Sequence, residues 1–396
     1  MAQTTNVLIV GGGFGGVKAA LELADDARIS VTLLSNETDF RYYPSLYHTA
    51  TGGDRRNSSI PLDKLLPSSI RILQGDATSV DKRAKTVTAA AGDVVAYDYL
   101  ILSLGVITNY FGIAGLEEYS YSIKSIPEIQ RFKDHLHKQL IDEHQPDLNY
   151  VIVGAGPTGI ELSGALPDYL HKIMDNHGIH HKAIHIDLIE ASPRLLPRMP
   201  RDTSRMVKRR LKKLGIKLFV GQTVQGQTAD ELTINGKPIR SHTVVWTAGV
   251  TNHPFFKTNN FTITPRGKVA VDTYLQADDA IYVIGDNANT PYSGLAQTAL
   301  HDGITAAHNI RRLVAGKDQK SYKAVKPITV IPAGPHWAAV NFGKLHLYGW
   351  MGWVLRESAD LIAFHDYEPW WRAGKQWLTE FDVQEDCPIC AAKLKA

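Results

Sequence analysis

Asn6-Val7-Leu8-Ile9-Val10-Gly11-Gly12-Gly13-Phe14-Gly15-Gly16 is the stretch that decides how this chain is read. Asn6–Val10 is a mostly apolar run of strand length, and a helical pattern follows the glycines over Val17–Leu23. Ser30–Leu34 is a second apolar, β-branched run, so the opening residues spell strand, helix, strand, the unit of a parallel sheet. The glycine cluster fits G-x-G-x-x-G. Gly11 permits the tight turn, Gly13 lets backbone approach a pyrophosphate, and Gly16 lets helix and strand pack closely. The helix start then offers free N–H groups and partial positive charge to phosphates.

Near residue 150 the pattern returns. Tyr150–Val153 reads as a strand, Gly154-Ala155-Gly156-Pro157-Thr158-Gly159 as a glycine-rich turn, Ile160–Leu170 as a helix and Ile184–Ile189 as a strand. Two dinucleotide-binding domains are the simplest explanation. The strand after the helix ordinarily ends in an acid that holds a ribose. In the first copy it ends Leu34-Ser35-Asn36-Glu37, so Ser35 or Glu37 would take that part, unless Ser35 merely ends a strand. In the second it ends Asp187-Leu188-Ile189-Glu190. Glu190 would accept from both ribose hydroxyls and repel a 2′-phosphate, which favours NADH over NADPH. Arg194, four residues later, could contact a phosphate. Glu161 is expected in the first helical turn, where an acid suits the helix dipole; the functional alternative is that it faces the nicotinamide.

The 396 residues are 44% hydrophobic and 21% charged, ordinary globular usage that excludes a disordered chain and a disulfide-stapled miniprotein. Forty-three basic and 40 acidic residues leave a formal charge of +3, too little to imply a nucleic-acid partner. Cys387 and Cys390 form a lone C-x-x-C, short of the four ligands of a structural zinc site, so no metal centre is expected. No apolar run approaches the ~20 residues of a membrane span. The opening residues carry no basic n-region or long apolar h-region, so no secretory signal is expected. Further strands are read at Thr86–Thr88, Val94–Tyr97, Lys217–Val220, Glu231–Ile234, Thr243–Thr247 and Ala280–Ile284, and a helix at Ser293–Leu313.

Several segments carry a family resemblance. Tyr43-Pro44-Ser45-Leu46-Tyr47 with Ala50 and Gly52 resembles a P-x-L-Y loop beneath a flavin. Tyr97-Asp98-Tyr99-Leu100-Ile101, Leu104-Gly105 and Thr108-Asn109-Tyr110-Phe111-Gly112-Ile113 are similar to Y-D-Y-L…L-G…T-N-x-F-G-I. Val245-Trp246-Thr247-Ala248-Gly249-Val250 matches V-W-T-A-G-V, and Ile281-Tyr282-Val283-Ile284-Gly285-Asp286 matches a second FAD motif. Together they resemble the FAD/NAD(P)-binding pyridine nucleotide-disulfide oxidoreductase superfamily and, within it, the type II, non-proton-pumping NADH dehydrogenases.

The resemblance implies an α/β fold of two Rossmann-like domains. An FAD-binding domain would be split between 1–112 and 249–325, with an NAD(H)-binding domain inserted at 113–248 and a small C-terminal region at 326–396. It implies that Gly11, Gly13, Phe14, Gly16, Ser35, Pro44, Gly105, Asp286, Ala296 and Gln297 bind FAD. Gly154, Gly156, Thr158, Gly159, Glu190 and Gly249 would bind NADH, and Glu161 and Gln297 would serve catalysis. Asp286 would accept from the ribityl chain, and Gln297, in Ala296-Gln297-Thr298-Ala299, would line a quinone pocket. The implied reaction passes a hydride from NADH to FAD and then two electrons to a quinone. Disulfide reductases carry C-x4-C in the first domain; no cysteine precedes Cys387 here, so electrons need a route without a thiol relay. A soluble ferredoxin- or rubredoxin-type reductase and a redox-sensing flavoprotein with little turnover are the alternatives.

Six of seven tryptophans, Trp337, Trp350, Trp353, Trp370, Trp371 and Trp377, fall past residue 326. With Arg356, Arg372 and Lys375 they suit a bilayer interface, so a peripheral place on the cytoplasmic face of the cell membrane is expected, or a cytoplasmic one. Glu357, Asp360, Asp366 and Glu368 dilute that charge, and packing of these aromatics into the protein itself or against a homodimer partner is the other reading of the segment. Arg356 or Lys344 would lie near the flavin, as a basic residue does in relatives.

Overall fold

The computed structural model describes residues 4–142, 147–179 and 183–378; Cys387 and Cys390 lie outside them. Six helices matter for the site: α1 (Phe14–Leu23), α2 (Pro157–Asn176), α3 (Arg201–Lys213), α4 (Ala296–Val314), α5 (Trp350–His365) and α6 (Trp370–Leu378). The expected α/β architecture is what the chain forms, and it divides into two compact units. The first holds the chain up to Tyr42, Ser59–Thr108 and Val250–Pro327; the second holds Tyr43–Ser58, Asn109–Gly249 and the chain from Ile328.

The first unit is built on a six-stranded sheet in the order Gln276–Asp278, Ile281–Val283, Tyr99–Leu102, Thr5–Val10, Ile29–Ser35, Arg71–Gln74. All neighbours are parallel except the first pair. Val7 to Val10 are all buried, because a central parallel strand is covered on both faces and has no solvent side to alternate towards. α1 and α4 meet backbone to backbone: a Cβ on Gly303 would come within 2.5 Å of the Gly15 carbonyl oxygen.

The second unit has a four-stranded, all-parallel sheet in the order Lys217–Val220, Ile186–Glu190, Tyr150–Val153, Thr243–Trp246. Tyr150, Ile152 and Leu188 pack with Ile160, Leu162 and Leu166 of α2 and with Val207 and Leu211 of α3. α2 starts at Pro157, three residues earlier than its apolar pattern, because proline's fixed φ and missing N–H suit a first helical position.

The C-terminal region differs most from expectation. Thr329–Pro332, Ala338–Phe342 and Leu345–Gly349 form an antiparallel sheet, and Ile331, Ala333 and Ala339 join the core of the second unit. α5 then reverses the usual polarity. Gly352, Arg356, Asp360 and Phe364 face inward, while Met351, Val354, Leu355 and Ile362 are exposed along one stripe. Gly352 sits so close to the sheet that a Cβ would lie 2.2 Å from the Ala338 carbonyl oxygen. Arg356 is buried and ion-paired with Asp360 one turn on, so it is not a headgroup-facing cation and Asp360 does not dilute surface charge. The tryptophans also divide. Trp337 stacks on Tyr348, Trp353 meets His336, and Trp377 donates to the Glu357 carbonyl at 2.9 Å, whereas Trp350, Trp370 and Trp371 are exposed. Among the described residues no helix is long and apolar enough to cross a membrane.

Candidate active site

The two glycine turns are alike in backbone angle, hydrogen bonding and close contacts. Gly11 and Gly154 take φ of +110° and +107°, a region closed to most side chains. Their N–H groups donate to Leu34 and Ile189 at 2.8 Å each, which ties each turn to the neighbouring strand. A Cβ on Gly16 would lie 1.9 Å from the Gly11 oxygen, and one on Gly159 would lie 1.8 Å from the Gly154 oxygen. A hydroxyl clasps each turn from the third strand. Ser103 donates to Val10 and Gly11 at 3.1 and 3.0 Å; Thr247 donates to Val153 and Gly154 at 2.8 and 3.0 Å. Neither hydroxyl was singled out from sequence. The signal was a repeat: Ser103-Leu104-Gly105 and Thr247-Ala248-Gly249 each follow a strand end and close on a positive-φ glycine.

The strand ends differ between the copies. Both oxygens of Glu190 are engaged, one by the Ala155 N–H and one by the Ser192 N–H, each at 2.8 Å. Ser35 occupies the matching place beside Gly12, where a Cβ would approach its hydroxyl to 2.8 Å, and it accepts from the Glu37 N–H. The Glu37 carboxylate is paired with Arg41. Arg194 does not present itself to a phosphate: its guanidinium donates to the carbonyls of Leu196, Pro197 and Met199 and pins that loop.

In the first unit Phe14 opens α1 and packs edge-on against Phe40 at 5.0 Å. Burial raises the Asp286 carboxyl above the usual carboxylate range, opposed by the Lys268 charge and a Gly294 N–H. The loop at Gly105 is held by Asn287, whose side chain accepts from the Gly105 N–H at 2.8 Å and donates to its carbonyl at 2.6 Å. Asp302 on α4, fully buried and unremarked in the sequence, accepts from the Gly285 N–H at 3.0 Å and is pushed up to about 6 by burial. Ala296 and the exposed Gln297 are the first two residues of α4, which begins three residues later than its pattern suggested.

In the second unit Pro44 lies in a short turn at Tyr43–Ser45, and Thr158 is exposed at the head of α2. Gly249 lies beneath Phe111, whose ring a Cβ would meet at 2.5 Å. Glu161 is the fifth residue of α2, in the second turn and not the first, so the helix-start reading weakens. Burial pushes its carboxyl up to about 7, against the lowering field of Arg356. His48 is pushed down to about 4 by burial and then by the same guanidinium.

The turns fit a dinucleotide. A Cβ on Gly13 or Gly156 would meet nothing within 4 Å, so each turn is packed shut behind and open in front, the shape a pyrophosphate approach requires. A family model described as pyridine nucleotide-disulphide oxidoreductase matches residues 5–303. The chain belongs to the pyridine nucleotide-disulphide oxidoreductase family. As a member of that family it is an oxidoreductase, as expected from its motifs. This oxidoreductase is 27% identical over 398 residues to the type II NADH:quinone oxidoreductase NdhA of Mycobacterium tuberculosis, covering 91% of this chain and 84% of the relative. It is 25% identical over 364 residues to the type II NADH:quinone oxidoreductase of Staphylococcus saprophyticus, covering 85% and 89%. Its fold is similar to that of the NDH2 of Plasmodium falciparum in complex with NADH, with a TM-score of 0.84 over 96% of this chain and 98% of that one, at 18% identity.

Proposed function

We propose that this pyridine nucleotide-disulphide oxidoreductase is an FAD-dependent NADH:quinone oxidoreductase that pumps no protons. The observation that carries the reading is the pair of like-built glycine turns, one faced by Ser35 and one by Glu190, in a chain with no cysteine before Cys387. The FAD-binding domain is 1–112 with 249–325, and the NAD(H)-binding domain is 113–248. Bound FAD supplies hydride acceptance and onward transfer of two electrons.

The protein's own residues do the positioning. Gly11, Gly13, Phe14 and Gly16 receive the FAD pyrophosphate, and Ser35 takes the ribose. Gly105, Asp286, Ala296 and Gln297, with Pro44, hold the rest of FAD. The α4 start carries a partial positive charge that favours an anion. Gly154, Gly156, Thr158 and Gly159 receive the NADH pyrophosphate at the α2 start. The remaining lone pairs of Glu190 accept the ribose hydroxyls, and its charge opposes a 2′-phosphate. Gly249, at a positive φ beneath the Phe111 ring, also binds NADH. Quinone reduction consumes protons, and Glu161, with a carboxyl near 7, can hold or release one at neutral pH. Gln297 offers an amide donor to a quinone carbonyl.

The exposed stripe of α5, with Trp350, Trp370 and Trp371, rests on a membrane surface as a peripheral attachment. Arg372 lies over the Trp371 ring at 4.9 Å, a pairing suited to the headgroup level. The deciding experiment is an acceptor screen of the purified, flavin-loaded protein, with NADH and NADPH against quinones, ferredoxin and oxygen. The reading expects NADH and quinone to give the fastest turnover. Faster turnover with ferredoxin, or slow turnover with every acceptor, would reverse it in favour of a soluble reductase or a redox sensor.

A further inference from the structure

The hairpin that joins Ala338–Phe342 to Leu345–Gly349 ends in Phe342-Gly343-Lys344-Leu345, and all four residues are exposed, Phe342 by 60% and Leu345 by 54%. Phe342 and Leu345 face each other across the closing rung, so the tip presents one small apolar patch to its surroundings. The neighbourhood indicates what meets it. The last rung before the tip pairs Asn341 with His346, and the first turn of α3 grips it. Thr203 donates to the Asn341 side chain at 2.8 Å, and His346 and the Tyr348 hydroxyl donate to the Asp202 carboxylate at 2.6 and 2.9 Å.

Those bonds fix the start of α3 beside the tip. α3 carries seven basic residues and one acid, and the acid is Asp202, turned onto the hairpin and held well below the usual carboxylate range chiefly by His346. The other groups at that end are cationic and exposed: Arg201 and Arg205 on α3, Arg198 just before it, and Lys344 in the turn itself. Met199, next to Arg198, has its sulfur 3.9 Å from the Asn341 amide, which keeps that segment at the same rung. The result is an apolar tip flanked by segments that carry four exposed cations.

We propose that this tip and the cations flanking it dock on an anionic phospholipid bilayer, as a contact separate from the exposed face of α5 and α6. The inference rests on the peripheral-membrane reading above. Acyl chains take Phe342 and Leu345, and lipid phosphates meet the guanidinium groups with charge-assisted hydrogen bonds. A nucleic acid would answer the cations and leave the apolar tip in water. A second copy of the same surface would set cations against cations.

The test uses the full-length, flavin-loaded protein and co-sedimentation with two kinds of vesicle at low salt. One is phosphatidylcholine alone; the other has phosphatidylglycerol as one lipid in three. Binding should be at least about tenfold tighter to the anionic vesicles, ~1.4 kcal/mol, and the gap should close as salt screens the charges. Replacing Arg198, Arg201 and Arg205 by Gln should remove most of that preference and leave binding to phosphatidylcholine unchanged. Lys at the same three positions should keep it. Equal binding to both vesicles overturns this inference and leaves the peripheral reading standing; binding to neither overturns both. A dimer in vesicle-free solution that Phe342→Ser with Leu345→Ser splits into monomers would give the tip to a second copy and overturn it as well.

Discussion

The Glu190 carboxylate accepts a 2.8 Å hydrogen bond from the Ala155 N–H, the second residue of the glycine turn that heads α2. Glu190 therefore braces the turn and keeps lone pairs for a ribose, since each carboxylate oxygen has two. NADH should be preferred over NADPH by at least about tenfold, ~1.4 kcal/mol. Glu190→Ala should narrow that gap and weaken both cofactors, because brace and acceptor go together. Glu190→Gln keeps one oxygen acceptor and removes the charge, so it should narrow the gap with a smaller loss for NADH. The measurement is kcat/KM for both cofactors in each variant; equal values in the unmodified protein would remove Glu190 from this role.

Two glycines of the first turn should respond differently to a side chain. Gly13 has open space ahead of it and φ of −87°, so Gly13→Val should fold normally and lose flavin. Gly16→Ala would press a methyl to 1.9 Å from the Gly11 oxygen, so it should lower stability by about 1–3 kcal/mol whether or not flavin is present. Flavin absorbance per chain together with urea unfolding of the flavin-free proteins separates the two effects. Full flavin loading of Gly13→Val would contradict the cradle.

Glu161 should make stability fall as pH rises. A carboxyl whose pKa is raised on folding favours the folded state while protonated. Its contribution is complete below the ordinary 4.5 and is lost as pH rises through about 7. The span corresponds to at most about 3 kcal/mol, less the screening that partial exposure allows. Asp302, pushed up to about 6, acts in the same direction and remains in Glu161→Gln. Unfolding midpoints at pH 5 and pH 8 should thus converge, but not coincide, in Glu161→Gln. Flavin binding should persist while the pH profile of quinone turnover changes; an unchanged profile would return Glu161 to a structural part.

Arg356→Met should be severe. Arg356 and Asp360 are a buried pair one helical turn apart, and removing one partner strands a charge in the interior, at about 3–5 kcal/mol. Arg356→Met with Asp360→Leu should regain most of that loss, which chemical denaturation of the single and double variants will measure. Without the guanidinium field, the Glu161 transition should also move to higher pH.

Removal of the chain after Ile328 would not isolate membrane binding, because Ile331, Ala333 and Ala339 belong to the core of the second unit. Met351, Val354, Leu355 and Ile362 replaced together by Ser should release the protein from phosphatidylcholine vesicles with little change in stability, since all four are exposed. Turnover should then fall more with long-tailed quinones than with short soluble ones. Flotation and paired kinetics decide this, and retained flotation would mean that α5 is not the attachment.

The sequence by itself determined both nucleotide-binding units. A G-x-G-x-x-G between strand and helix is a local pattern, and the steric demands at Gly16 and Gly159 come from the Gly11 and Gly154 carbonyls five residues back, whereas Gly11 and Gly154 face Ser103 and Ala248 of a distant strand end. The ends of the central strands were legible for the same reason, because a parallel strand buried on both faces is an unbroken apolar run. Tertiary structure decided what depends on distant partners. Ser103 and Thr247 became clasps only when a third strand came beside each turn. In the C-terminal region the pattern misled. Ala338–Phe342 opens on two alanines and includes the polar Asn341, so it has little signal of its own, and it is made a strand by its two neighbours. Arg356 and Asp360 read as surface charges until α5 turned them inward, where each is tolerable only because the other is there. Charge and hydropathy say what a side chain favours in isolation; which face of α5 met the sheet was settled by the closeness that Gly352 alone permits.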